Sequence, residues 1–132
     1  MQLSSVRLVG VGPFEDLALP FSDDEGRPRR VVVVVGAGGV GKTTLLAAIA
    51  GRTQRIKLGT AVTVLSTDDP VRVFQRFSTL NALSNGRAEP ILGRGSFTES
   101  YPLFGHELQD YDQLFEERLE IFAKLLREPR IS

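Results

Sequence analysis

The chain has no cysteine, no tryptophan and one histidine among its 132 residues. Without a thiol there is no disulfide framework, thiolate nucleophile or cysteine-ligated metal, and one imidazole cannot build a histidine cluster, so zinc chemistry is excluded. Charge of one sign is missing as well, because 16 Lys+Arg balance 16 Asp+Glu. A nucleic acid or an anionic membrane therefore meets no global attraction, and nucleic acid is not expected as a partner of this chain alone. No apolar run approaches the roughly 20 residues that span a bilayer. The opening MQLSSVRLVGVG also lacks a basic segment followed by a long apolar one. The expectation is a cytoplasmic protein with no membrane partner. What is present, 42% hydrophobic and 24% charged residues, is the profile of a folded domain. The length suits a single compact domain, 1–132, but is short for a complete nucleotide hydrolase or a complete barrel.

Residues 3–9 and 14–21 alternate in polarity on either side of a Gly- and Pro-containing break, which predicts an antiparallel hairpin. A polar stretch, SDDEGRPRR, leads to five consecutive valines at 31–35, as expected of a strand buried on both faces. Glycines then interrupt the chain, and the Leu- and Ala-rich residues 42–50 predict a helix closing near Gly51. Residues 56–65 read as a second strand. The sequence STDDP places the cap candidates Thr67 and Asp68 before Pro70, and Val73, Phe74, Phe77 and Leu80 then recur at helical spacing as far as SNG at 84–86. Residues 87–92 read as a short strand despite Pro90, and 93–109 as a long loop. Leu114, Phe115, Leu119, Phe122 and Leu126 mark a last amphipathic helix that Pro129 stops. The order predicts an α/β fold: an N-terminal β-hairpin followed by three βα units, with helices packed on a mixed, mostly parallel sheet.

The octapeptide GAGGVGKT at 36–43 fits G-x-x-x-x-G-K-[ST] between a predicted strand and a predicted helix. Glycines suit such a loop because backbone N–H groups must turn inward around a phosphate, at distances a Cβ would obstruct. The candidate cofactor-binding residues are Gly36, Gly38, Gly39, Gly41, Lys42, Thr43 and Thr44. Lys42 would reach the β and γ phosphates, and Thr43 would offer its hydroxyl to Mg²⁺ at the helix N-terminus. Asp68, beyond the end of the 56–65 strand, is a second candidate metal ligand, against the alternative that it caps the following helix. The expected function is phosphate binding of a nucleotide, ATP or GTP with Mg²⁺. Little or no hydrolysis is expected, since no Glu or Gln is placed to orient water. The bland alternative is that the glycines only make a tight βα turn. With the hairpin ahead of it, 1–50 resembles the N-terminal P-loop segment of RecF- and SMC-like (ABC-class) ATPases, whose glutamine loop, signature motif and Walker B pair have no counterpart here.

From about residue 45 a different likeness takes over. RTQRIKLGTAV, DDPVRVFQRFSTLNALSNGRAE, GRGSF and YDQLFEERLEIFAKLLRE together resemble an internal fragment of the bacterial-luciferase-like flavin-dependent monooxygenases, which are TIM barrels. The organisation implied is a chimera: a P-loop ATPase-like segment at 1–50 and a luciferase-like barrel fragment at 51–132. The second resemblance implies a flavin or deazaflavin cofactor and an alternative function as an oxidoreductase fragment. A third possibility is a scaffold or interaction module in which both sites are remnants. Chemistry in a TIM barrel sits at the C-terminal ends of all its strands, so no catalytic residue is assigned to these few. Arg94 in GRGSF could contact phosphate in a bidentate fashion, against the reading of a flexible turn. His106 could be a general base, against a solvated loop histidine. Glu116, Glu117, Arg118 and Glu120 read as the solvent face of the last helix. Apolar edges lifted from a closed barrel suggest a homo-oligomer.

Overall fold

The computed structural model describes residues 5–11, 14–27, 42–96 and 98–128. It divides into two compact units, Met1–Gln54 and Arg55–Ser132.

In the first unit, β1 (Ser5–Val11) and β2 (Phe14–Pro20) form the expected antiparallel hairpin, Ser5 facing Pro20 and Val11 facing Phe14. A diagonal ion pair crosses it, Arg7 Nε donating to Asp16 Oδ1 at 2.7 Å. Asp23 folds the next turn, its Oδ1 accepting from the backbone N–H groups of Glu25 at 3.0 Å and Arg27 at 2.8 Å. Helix α1 (Lys42–Arg52) buries Leu45, Ile49 and Ala50, a stripe at helical spacing, while Thr43 and Thr44 are exposed. The predicted strand at 31–35 and the glycines at 36–41 lie outside the described residues.

The second unit is built on two parallel strand pairs. β3 (Leu58–Gly59) pairs with β5 (Ala88–Glu89), and β4 (Thr63–Val64) pairs with β6 (Leu92–Gly93). The continuous strand expected at 56–65 is thus broken in the middle, and so is its partner at 87–92. Thr60, Ala61 and Val62 separate the pairs on one side and only Pro90 and Ile91 on the other, so one extra residue bulges out. Pro90 has no N–H for the ladder, and pairing resumes where the Thr63 N–H donates to the Ile91 carbonyl at 2.8 Å. Gly59 leaves no room for a side chain: a Cβ there would lie 2.5 Å from the Glu89 carbonyl oxygen.

After β4 comes a 3₁₀ turn, Leu65–Thr67, and then α2 (Pro70–Ser84). The N-cap of α2 is Asp69 and not the expected Thr67 or Asp68, its side chain accepting from the Val71 and Arg72 N–H groups at 2.8 and 3.1 Å. Pro70 occupies the first-turn position, where its missing N–H costs nothing. The helix closes at Asn85 in the left-handed region (φ 55°) and Gly86 (φ +81°). The expected 93–109 loop contains a short helix, α3 (Ser100–Leu103), and a 3₁₀ turn, Leu108–Asp110, before α4 (Tyr111–Arg127). Leu65, Val73 and Phe122 form the core, with Phe74, Phe77, Leu92 and Phe115 packed against them. Burying such a side chain contributes about 1.5–3 kcal/mol. Phe74 and Phe122 meet edge to face, centroids 6.4 Å apart at 73°. The fold is α/β, with short parallel strands and helices. Among the described residues no helix is long and apolar enough to cross a membrane.

Candidate functional site at the strand ends

Because β4 and β6 run parallel, their C-terminal ends lie side by side, and the segments that follow them share one edge of the unit. The turn after β6 carries the GRGSF glycines. A Cβ on Gly93 would lie 2.7 Å from Val62 Cγ2, and one on Gly95 (φ +81°) would lie 2.6 Å from Val64 Cγ1. A side chain at either glycine would have to displace a valine, Val62 just before β4 or Val64 within it. Arg94 projects between them. Its Nη1 donates to Asp112 Oδ1 at 2.6 Å, and its guanidinium lies 5.2 Å from the Phe115 ring centroid and 5.8 Å from that of Tyr111. The Arg94 and Asp112 side chains are 43% and 70% exposed, so this ion pair is a weak one that an incoming anion can replace. Tyr111 Oη donates to the Gly95 carbonyl at 3.3 Å, and Tyr101, buried, donates to that of Arg94 at 3.5 Å.

At the end of β4 the organising side chain is Arg118. From the half-buried middle of α4 it donates through Nη1 to the carbonyls of Leu65 (3.4 Å) and Ser66, and through Nη2 to His106 Nε2 at 2.8 Å. The His106 backbone N–H in turn donates to the Tyr101 carbonyl at 2.9 Å. Ser66 is fully buried, and its Oγ has no hydrogen-bond partner among the described residues.

The placement corrects several expectations. Glu116, Glu117 and Glu120 do face solvent, but Arg118 turns inward, and His106 is half-buried against it. The signal for Arg118 was present: it lies three residues after Phe115 and four before Phe122, on the buried stripe of α4. Glu120 pairs instead with Lys124 at 2.9 Å, which holds its carboxyl below the usual range. Asp68 is no open metal ligand. One of its oxygens accepts from the Asp69 N–H at 2.9 Å and the other pairs with Arg76. No cluster of three or more acidic or imidazole groups able to hold a metal occurs among the described residues. Thr43 and Thr44 are exposed on the first turn of α1, which Lys42 opens, and Gly36, Gly38, Gly39 and Gly41 lie outside the described residues.

Parallel strands that gather polar side chains at their C-terminal ends are the working face of an α/β barrel. A family model described as luciferase-like monooxygenase matches residues 31–132, and the chain belongs to that family. It is 29% identical over 82 residues to the alkanal monooxygenase alpha chain of the Kryptophanaron alfredi symbiont, covering 62% of this chain and 23% of that one. It resembles the monooxygenase RslO1 from Streptomyces bottropensis with a TM-score of 0.64 and 25% identity, over 70% of this chain and 28% of that one. It shares its fold with the oxygenating constituent of 3,6-diketocamphane monooxygenase from the CAM plasmid of Pseudomonas putida, solved in complex with FMN. There the TM-score is 0.62 and the identity 19%, over 73% of this chain and 28% of that one. The chain thus spans about a quarter of the length of the proteins it matches.

The match overturns the expected function in phosphate binding of ATP or GTP with Mg²⁺. It begins at residue 31 and so takes in the glycine motif and α1 together with the strands, and the relatives include two alkanal monooxygenase alpha chains and the structural neighbours include two monooxygenases. An eight-residue motif that also suits a tight βα turn has little weight against a match of that length.

Proposed function

We propose that this chain supplies part of the flavin site of a luciferase-like monooxygenase, the alternative weighed in the sequence. One observation carries it: the family match extends over strands whose adjacent C-terminal ends present Arg94 in an exchangeable ion pair. The residues suit an oxygen-rich cofactor in kind. Arg94 is a fork-shaped cation at the strand end and would hold the flavin's phosphate or another of its anionic oxygens. Tyr101 and Tyr111 brace the Arg94 and Gly95 carbonyls, and Ser66 adds a hydroxyl with no partner among the described residues at the neighbouring strand end. Bound in reduced form, a flavin would supply the electrons for oxygen activation. The protein's part is to grip, orient and shield it.

A cytoplasmic location and self-association belong to the same reading. The second is supported by the exposure of Leu103 (78%), Leu126 (63%) and Phe104 (59%). Titrating FMN into the chain, followed by flavin fluorescence, tests the proposal. Expected is saturable binding that Arg94→Ala weakens about tenfold or more, the loss of a charge-assisted contact. No binding at about millimolar FMN, a free energy near 4 kcal/mol, would sink it.

A further inference from the structure

We infer that Arg118 is a positioning residue that holds His106 as a neutral imidazole protonated on Nδ1, so that this histidine serves as a hydrogen-bond donor and not as a base. A guanidinium has five N–H donors and no acceptor. With Arg118 Nη2 only 2.8 Å from His106 Nε2, that ring nitrogen must accept and cannot carry a proton. The proton of the neutral ring then resides on Nδ1, the tautomer opposite to the one a free histidine side chain favours. An imidazolium at this distance would set two cations in contact with no shared hydrogen.

Arg118 is itself held where it can do this. Its Nη1 is committed to the Leu65 and Ser66 carbonyls at the end of β4, which fixes the fork and leaves Nη2 aimed at the ring. His106 is held from the other side by its backbone N–H on Tyr101, just after Gly105 in the left-handed region at φ +75°. No described residue accepts from Nδ1, so that N–H is available to a ligand oxygen. The lone pair a general base would use, on Nε2, is already engaged.

This assignment deepens the flavin reading by giving the imidazole at the strand ends a role. It is tested without flavin, so its failure is distinguishable from failure of the FMN titration. His106 is the chain's one histidine, so a long-range ¹H–¹⁵N correlation spectrum of the ¹⁵N-labelled protein in mildly alkaline buffer shows a single imidazole pattern. Expected is a protonated Nδ1 and an unprotonated Nε2. Arg118→Lys, which keeps a cationic donor, should retain that pattern, and Arg118→Met should move the proton toward Nε2. A wild-type spectrum with the proton on Nε2 would overturn the inference, as would a folded Arg118→Met protein with the wild-type pattern. If the methionine variant does not fold, the wild-type spectrum decides by itself.

Discussion

Two arginines differ in what they hold, one at the N-terminal end of the β3–β5 pair and the other at the C-terminal end of the β4–β6 pair that follows it. At the N-terminal end Arg87 is 8% exposed, with Nε on the Ser84 carbonyl and Nη1 on that of Ile56, each at 2.6 Å, and with its own N–H on Ser84 Oγ at 3.1 Å. It ties the last turn of α2, where carbonyls lack helical partners, to the segment entering β3. At the C-terminal end Arg118 is half-buried and divides its donors between strand-end carbonyls and an imidazole, with the exposed Arg94–Asp112 pair on the adjoining strand end. One end uses a buried cation to complete the backbone's hydrogen bonds. The other adds to such a cation an exposed pair, Arg94–Asp112, whose partners can be exchanged. Barrels built from parallel strands divide their labour in the same way, with stability at the N-terminal face and chemistry at the C-terminal one.

The largest expected effect removes what both ends share. Phe122 is 3% exposed and packs on Leu65, at the end of β4, and on Val73 of α2, the helix whose last turn Arg87 holds, so Phe122→Ala should cost about 3–5 kcal/mol in urea unfolding. Loss of one end with the other intact would show that the ends are not joined through this core. Arg87→Ala should cost about 2–4 kcal/mol, because the Ser84 and Ile56 carbonyls lose a charged donor, while FMN binding by the surviving folded fraction stays unchanged. A drop in FMN affinity as large as that from Arg94→Ala would erase the division between the two ends.

Gly95→Ala is expected to cost about 1–3 kcal/mol, from a positive φ and a methyl driven into Val64. Here the FMN affinity should fall too, since the same turn carries Arg94. Asp69→Ala removes the cap of α2 and should lower stability by about 1 kcal/mol, with Asp68→Ala costing less because its ion pair with Arg76 is partly exposed. Equal losses for the two aspartates would return Asp68 to the role of cap.

The smallest effect is the pH dependence of the Glu120–Lys124 pair on the outer face of α4. Lys124 lowers the Glu120 carboxyl from its ordinary value of 4.5. A carboxyl depressed in the folded state contributes stability that is present above that ordinary value and lost as pH falls through the folded one. Glu120→Gln should therefore flatten the stability profile slightly on the acid side of pH 4.5, and added salt should mask the difference.

Much of the fold was legible because its causes are local. The recurrence of Val73, Phe74, Phe77 and Leu80, closed by Asn85 and Gly86, marks α2 within its observed bounds, and the alternation on either side of Gly12 and Pro13 marks the hairpin. Less of the site was legible. The glycine motif was weighed as a phosphate cradle from its spacing, whereas the family match that overturns this runs far beyond the motif. The bulge opposite Pro90 depends on which residues face each other, and neither strand states that alone.

By itself, then, the sequence determined where the three longer helices run, part of the face each turns inward, and that strands and helices alternate, because caps, periodicity and turn residues act within a few positions of themselves; it missed the short α3. Only the tertiary structure decided that the strands break at Thr60–Val62 and that Gly93 and Gly95 lie against Val62 and Val64 of the facing segment. It also decided that Arg118, on the buried stripe of α4, reaches a carbonyl 52 residues away and an imidazole 12 residues away. Those contacts are set by the packing of α4 on the end of β4, and a partner so distant along the chain is chosen by the folded geometry and not by local propensity.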